Sequence, residues 1–391
     1  MYRLKKIEGG VCASDGFYAD GVSIGLKGGD AKDLASIYSD EMCDVASVFT
    51  TNKMCAAPIK HFRAKGRFQT NFVLINSKNA NAMTGKKGIE DIDEILKNLP
   101  QHVQNPVMSS TGVIGVRIPK QKIINSLHLL DFGKKDSTSA SEAIMTTDTH
   151  NKEIAYRVEL DDGAFHIGAI AKGAGMINPA MATMLCFITT DADISLDDMQ
   201  KILDDVVKDT FNASSVDGDT STNDTVLLLS NKKSKVCNLD AFREALFEIM
   251  LHLAKEMVRD GEGATKLVTY NVSGAMSDDD AETVAKALSN SLLVKTALYG
   301  EDPNWGRIAS TVGASGVEAY EDKLKISFDD VCVYDRGTIY FDDEMEKKAA
   351  DVMKKDSFII SCDLGLKDGR FKAYGCDLGY EYVKINADYR T

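Results

Sequence analysis

Short apolar runs such as 225-TVLLLS-230 recur along this chain between long amphipathic stretches, and that interleaving constrains the fold more than any other feature. Runs of this kind, rich in β-branched and aromatic residues and bounded by Asn, Asp or Gly, read as strands. They include 72-FVLINS-77, 165-FHIGAIAKG-173, 184-MLCFITT-190, 267-LVTYNVSG-274 and 357-SFIISCDL-364. In 195-SLDDMQKILDDVVKDTF-211, Ser195 can cap a helix, Asp198 stands three residues on, and Leu196, Met199, Leu203, Val206 and Val207 share a face. A second helix, 239-LDAFREALFEIMLHLAKEMVRDG-261, repeats apolar residues at Phe242, Leu246, Ile249, Leu253 and Met257 and stops at Gly261. A third runs from Ser277 through Val284, Leu288 and Leu292. A fourth, over about 342 to 355, is acidic at its start and lysine-rich at its end, as the helix dipole favours. The mixture predicts an α/β (mixed α+β) fold of packed sheets flanked by helices. Asp162-Gly163 and Asp368-Gly369 each lie between strand-like runs and predict hairpins, so largely antiparallel pairing is expected.

With 391 residues, 44% of them apolar, the chain can bury a substantial core in two or three domain-sized units. A formal charge of −13 argues against nucleic acid or an anionic membrane as the main partner, because both require concentrated Lys and Arg. The N-terminal basic residues are not followed by an apolar run, and nowhere do the roughly 20 apolar residues of a membrane span occur. A cytoplasmic protein with small-molecule partners is expected. Eight cysteines without a C-x-x-C pair fit reduced thiols.

Several motifs fail. No two of the six histidines stand at ligand spacing and no Cys/His cluster forms in sequence, so no metal site is expected. The stretch 217-DGDTSTND-224 begins like a calcium loop, yet Thr222 stands where the EF-hand needs Gly and no Glu follows at the twelfth position; it reads as a polar turn. The segment 173-GAGMIN-178 lacks the third glycine of the dinucleotide fingerprint, and 261-GEGATK-266 lacks P-loop spacing. No cofactor is expected. A G-x-S-x-G elbow is absent as well.

Thr183, in 182-ATMLCFITT-190, permits two readings. One is a strand residue, since threonine favours strands. The other is a nucleophile. A threonine hydroxyl needs a base, and its own α-amino group serves once the residue heads a chain, titrating near 7.7 to 8. The Ala182–Thr183 bond would then break by N→O acyl shift and hydrolysis. Gly173, Gly175 and Pro179 supply a turn ahead of the strand, and the small Ala182 leaves room for the attack.

The segment 178-NPAMATML-185 resembles the self-cleavage site of the ornithine acetyltransferase family, also called the glutamate N-acetyltransferase or ArgJ family of arginine biosynthesis. The segments 109-SSTGVIG-115, 144-IMTTDT-149, 171-AKGAGMI-177, 216-VDGDTSTNDTVLLL-229, 259-RDGEGATK-266, 302-DPNWGRI-308 and 386-NADYRT-391 resemble the same family, in order, across most of the chain.

The resemblance implies a DmpA/ArgJ-like fold cut into fragments 1–182 and 183–391, interlocked and assembled as α2β2. Thr183 is then the nucleophile that takes acetyl from N-acetylornithine and passes it to glutamate. Thr111 and Gly112 match the oxyanion hole, which they would form with a hydroxyl and a backbone N–H. Thr146, Lys172, Glu262, Asn386 and Thr391 match substrate-binding positions, with Thr147 one register away as a competitor for Thr146. The resemblance assigns no catalytic role to 217–224 or to Trp305. Some members also use acetyl-CoA, and these residues do not separate the two kinds. A rival from another class is an N-terminal-nucleophile amidase or aminopeptidase that delivers the acyl group to water; a third is an uncleaved scaffold.

Overall fold

The computed structural model describes residues 1–178 and 184–388. Among them a nine-stranded sheet runs in the order Arg3–Ile7, Lys152–Leu160, Gly163–Lys172, Leu185–Thr190, Thr225–Ser230, Leu34–Phe49, Gln69–Asn76 and Val107–Ser110, with Phe17–Val22 also on Leu34–Phe49. Pairing is antiparallel except between Leu185–Thr190 and Thr225–Ser230 and between Gln69–Asn76 and Val107–Ser110. A second, seven-stranded sheet orders Thr338–Ile339, Val331–Asp335, Lys325–Phe328, Ser357–Asp363, Leu267–Ala275, Gly369–Cys376 and Ser214–Ser215.

The continuous apolar runs are explained by burial of both sheet faces. Ile167, Ala169, Ala171, Cys186, Ile188, Val226 and Leu228 pack with the helices Leu196–Val206 and Leu239–Arg259. The residues between them, Ile170, Leu185, Phe187, Leu227 and Leu229, pack on the other side with helix Ser137–Ile144. Successive strand side chains point to opposite faces, so a strand sandwiched between layers must be apolar throughout. Ser195 caps the first of these helices by accepting the Asp198 N–H at 3.1 Å, as its sequence predicts. The second sheet is covered by the helices Asp278–Asn290, Trp305–Ala314 and Asp343–Met353.

Three expectations change. The first predicted hairpin forms, joining Lys152–Leu160 to Gly163–Lys172, but its turn is centred on Asp161 and Asp162, with Gly163 already paired to Leu160. Asp368-Gly369 makes no hairpin, because Leu267–Ala275 lies between Ser357–Asp363 and Gly369–Cys376, parallel to one and antiparallel to the other. A turn dipeptide fixes a local reversal and cannot specify which distant strand fills the gap. The helix predicted from Ser277 breaks at Ser291, whose hydroxyl caps a new helix, Leu292–Tyr299, by accepting the Val294 N–H at 3.3 Å.

Candidate active site

Sheet register brings the expected residues together. Lys172, the last residue of its strand, lies opposite Leu185, and Leu185 lies opposite Thr225. The ends of the 173–184 and 216–224 connections therefore meet at one sheet margin. Thr111 follows the strand Val107–Ser110, and Asn223 ties that loop in: its Nδ2 donates to the Ser110 and Ala80 carbonyls at 2.7 Å each.

Around this junction lies a cavity of about 190 Å³ lined by Thr111, Gly112, Thr146, Thr147, Lys172, Glu262 and Asn386. Every expected site residue that the structure describes is on its wall. Ala182, Thr183 and Thr391 lie outside the described residues. Thr146 and Thr147 both line the cavity, so geometry does not choose between them.

Gly112 is held at φ +128°, and a Cβ there would fall 2.2 Å from the Lys78 carbonyl carbon and 2.5 Å from the Asn79 nitrogen. The neighbouring N–H groups are used, Thr111 donating to Asn76 O at 3.0 Å and Val113 to Lys78 O at 3.1 Å. No acceptor among the described residues takes the Gly112 N–H. Lys172 Nζ reaches the Thr111 hydroxyl at 3.4 Å. It is only 3% exposed and forms no ion pair among the described residues. Burial draws its ammonium below the ordinary lysine value, against Asp148, Asp224 and Glu262, whose charges act the other way.

Burial by itself would raise the Asp148 carboxyl, but Lys172, Lys152 and the N–H groups of Thr146 and Gly173 hold it at about 2. Asp224 behaves oppositely: burial lifts it well above the carboxylate range despite the Met184 N–H, which its Oδ1 accepts at 3.1 Å, and despite Lys172. Its Oδ2 is buried without a hydrogen-bond partner among the described residues.

Sequence reasoning missed part of the wall. Asp217, Asp219, Ser221, Thr222 and Asn223 line the cavity, as does Tyr382. Asp217 accepts the Met176 and Ile177 N–H groups at 2.6 and 2.9 Å and the Tyr382 hydroxyl at 3.1 Å, bracing the backbone that follows Gly175. The available signal was position: a dense polar stretch ending directly at a fully buried apolar strand. Trp305 stands apart, stacked on Tyr334 at 5.1 Å between ring centroids, and serves packing.

The ArgJ family model matches residues 18–391. The arginine biosynthesis bifunctional protein ArgJ of Wolinella succinogenes is 60% identical over the whole of both chains. A glutamate N-acetyltransferase of Methanocaldococcus jannaschii is 43% identical over 99% of this chain and all of its own. A solved ornithine acetyltransferase of Mycobacterium tuberculosis, complexed with ornithine, is 30% identical over 47% of this chain and all of that one, with a TM-score of 0.39. The sequence matches define an acyltransferase of arginine biosynthesis. The chain belongs to the ArgJ family.

Proposed function

We propose that this chain is a glutamate N-acetyltransferase that moves acetyl from N2-acetylornithine to glutamate through an ester on Thr183. The observation that carries the reading is convergence. Six residues matching the family's site, Thr111, Gly112, Thr146, Lys172, Glu262 and Asn386, come from five separate segments to one cavity.

In this reading the Thr183 hydroxyl first adds to the Ala182 carbonyl while its proton passes to the Thr183 nitrogen, and the Ala182–Thr183 C–N bond breaks to leave an ester of Ala182 on the Thr183 oxygen. Water then cleaves the ester, leaving an Ala182 carboxylate and a free α-amine on Thr183. That amine takes the hydroxyl proton as the oxygen attacks the acetyl carbonyl of acetylornithine. The Thr111 hydroxyl and the unused Gly112 N–H meet the oxyanion. The proton goes to the departing ornithine amine. Glutamate's amine attacks the ester next, and the Thr183 oxygen regains a proton as it leaves. Splitting amide-to-amide transfer into two acyl transfers gives ping-pong kinetics. Lys172 receives the α-carboxylate, while Glu262 faces the substrate amines. Cytoplasmic action and assembly of the cut chains as α2β2 belong to the same reading.

Mass spectrometry of the purified protein mixed with N-acetylornithine tests it. An added acetyl on a fragment beginning at Thr183 is expected. An intact polypeptide with full activity would end the proposal. Omitting glutamate separates the transferase from the amidase, which would release acetate at an undiminished rate. Acetyl-CoA offered in place of acetylornithine tests a second activity.

A further inference from the structure

Behind the cavity wall lies a chain of buried charges that the mechanism above does not use. The Asp148, Lys152 and Asp260 side chains are each no more than 1% exposed. Lys152 Nζ donates to Asp148 Oδ1 at 3.0 Å, to the His150 carbonyl at 3.2 Å, and to Asp260 Oδ2. Each carboxylate also holds backbone in or beside the cavity wall. Asp148 accepts the Thr146 N–H at 3.0 Å and the Gly173 N–H at 2.7 Å. Asp260 accepts the Thr149 N–H at 3.1 Å and directly precedes Gly261 and Glu262; the Glu262 N–H in turn donates to Ala174 O at 2.8 Å. Two carboxylates against one ammonium leave one negative charge, and the buried Lys172 is a cation without an ion pair among the described residues.

We propose that Asp148 is a positioning residue for acetyl transfer: it keeps the Lys172 ammonium charged and in place to receive a substrate carboxylate, while its carboxylate oxygens, accepting the Thr146 and Gly173 N–H groups, fix those two segments. This rests on the transferase reading, from which the role of Lys172 comes. The groups facing Lys172 are Asp148, Asp224 and Glu262 on one side of the balance and Lys152 on the other. Lys27 also faces Asp148 and Lys172, with Asp33 and Glu142 as its own carboxylates; burial holds it at about 8. Among these, Asp148 is also tied to the residue next to Lys172, accepting the Gly173 N–H at 2.7 Å, and its charge opposes the desolvation of Lys172. Without its charge, Lys172 gives up its proton at lower pH and substrate carboxylates lose their cation.

The test is Asp148→Asn in the full-length, self-processed enzyme, with kcat and KM for acetylornithine and for glutamate measured from neutral to alkaline pH. The alkaline limb of kcat/KM is expected to move down by about 1 to 3 pH units, the range over which a close opposite charge acts. The loss should appear as a KM that climbs with pH, while kcat at the acid end of the range stays within several-fold. A uniform loss at every pH, with the limb unmoved, would overturn the proposal, since damaged packing alone predicts that. Should the asparagine variant fail to fold, Asp148→Glu decides. A retained charge should leave the limb at its wild-type position even where kcat falls, and a limb displaced as far as the proposal predicts for neutralisation overturns it. Wild-type enzyme that never acetylates Thr183 would instead sink the transferase reading, a distinguishable failure.

Discussion

Gly112 shows how one missing methyl group can set up a site. The backbone of Lys78 and Asn79 occupies the space a side chain would need, and the positive φ adds strain for any L-residue. Held that close, Gly112 leaves its N–H without an acceptor among the described residues, while Thr111 and Val113 on either side donate to Asn76 and Lys78. Gly112→Ala should therefore displace the donor. We expect kcat to fall about 100- to 1,000-fold, the usual cost of losing one oxyanion donor, with KM for acetylornithine changing far less. Steady-state kinetics on the self-processed variant checks this; a kcat within tenfold of wild type would remove Gly112 from the oxyanion role. Residues like Gly112, Lys172 and Glu262 were legible because they sit in short segments that resemble the family's. Asp217 and Asn223 sit in such a segment too, 216–229, but no role in the site was read from it, because their work is hydrogen bonding to loops more than 35 residues away in sequence, and a polar turn looks the same whether or not a cavity lies beneath it.

At the scale of elements, the last described helix, Tyr380–Asp388, is peculiar in burying none of its residues. It is placed by polar contacts to cavity carboxylates, Tyr382 to Asp217 at 3.1 Å and Asn386 Nδ2 to Glu262 Oε2 at 2.7 Å. Gly263, at φ +71°, lets the helix backbone approach: a Cβ there would meet the Tyr382 nitrogen at 2.7 Å. Such an element contributes to the site far more than to the fold. Tyr382→Phe should raise KM for acetylornithine roughly tenfold, as loss of a hydrogen bond to a charged group does. It should shift the melting temperature by no more than about 2 °C. Thermal melts and kinetics on the same preparation test both halves, and a large drop in melting temperature would contradict the assignment. Buried strands could be read from sequence because two-sided burial leaves an unbroken apolar signature. Their partners could not. The Asp368-Gly369 turn carries nothing that announces Leu267–Ala275 between its flanking strands, and the apolar spacing through Leu292 does not reveal that Ser291 starts a fresh helix.

On the scale of the whole molecule, the proposed cut would divide the chain without dividing the sheet. Leu185–Thr190 and Thr225–Ser230 lie between Gly163–Lys172 and Leu34–Phe49, so strands from beyond residue 183 are enclosed by strands from before it. Sheet order of this kind is set by non-local pairing, which composition and periodicity do not encode. The same interleaving buries titratable groups with opposed effects on stability. Asp148 is held at about 2, so its contribution is present above the unfolded carboxyl value near 3.9 and is lost as pH falls through about 2. Asp224 has the opposite sign. Its folded value lies above the unfolded one, so the folded state binds the extra proton, and stability falls as pH rises from about 4 toward the folded value, by at most about 1.4 kcal/mol per pH unit. Asn at position 224 keeps an oxygen for the Met184 N–H and has no proton to lose. In a Thr183→Ala background, expected to stay one chain so that unfolding is a single-chain equilibrium, Asp224→Asn should gain stability over its parent as pH rises from about 5 to 8. Urea unfolding at stepped pH measures the difference. If it stays flat across that window, the Asp224 carboxyl is ionised in the fold, and its unpartnered oxygen must be compensated by another group.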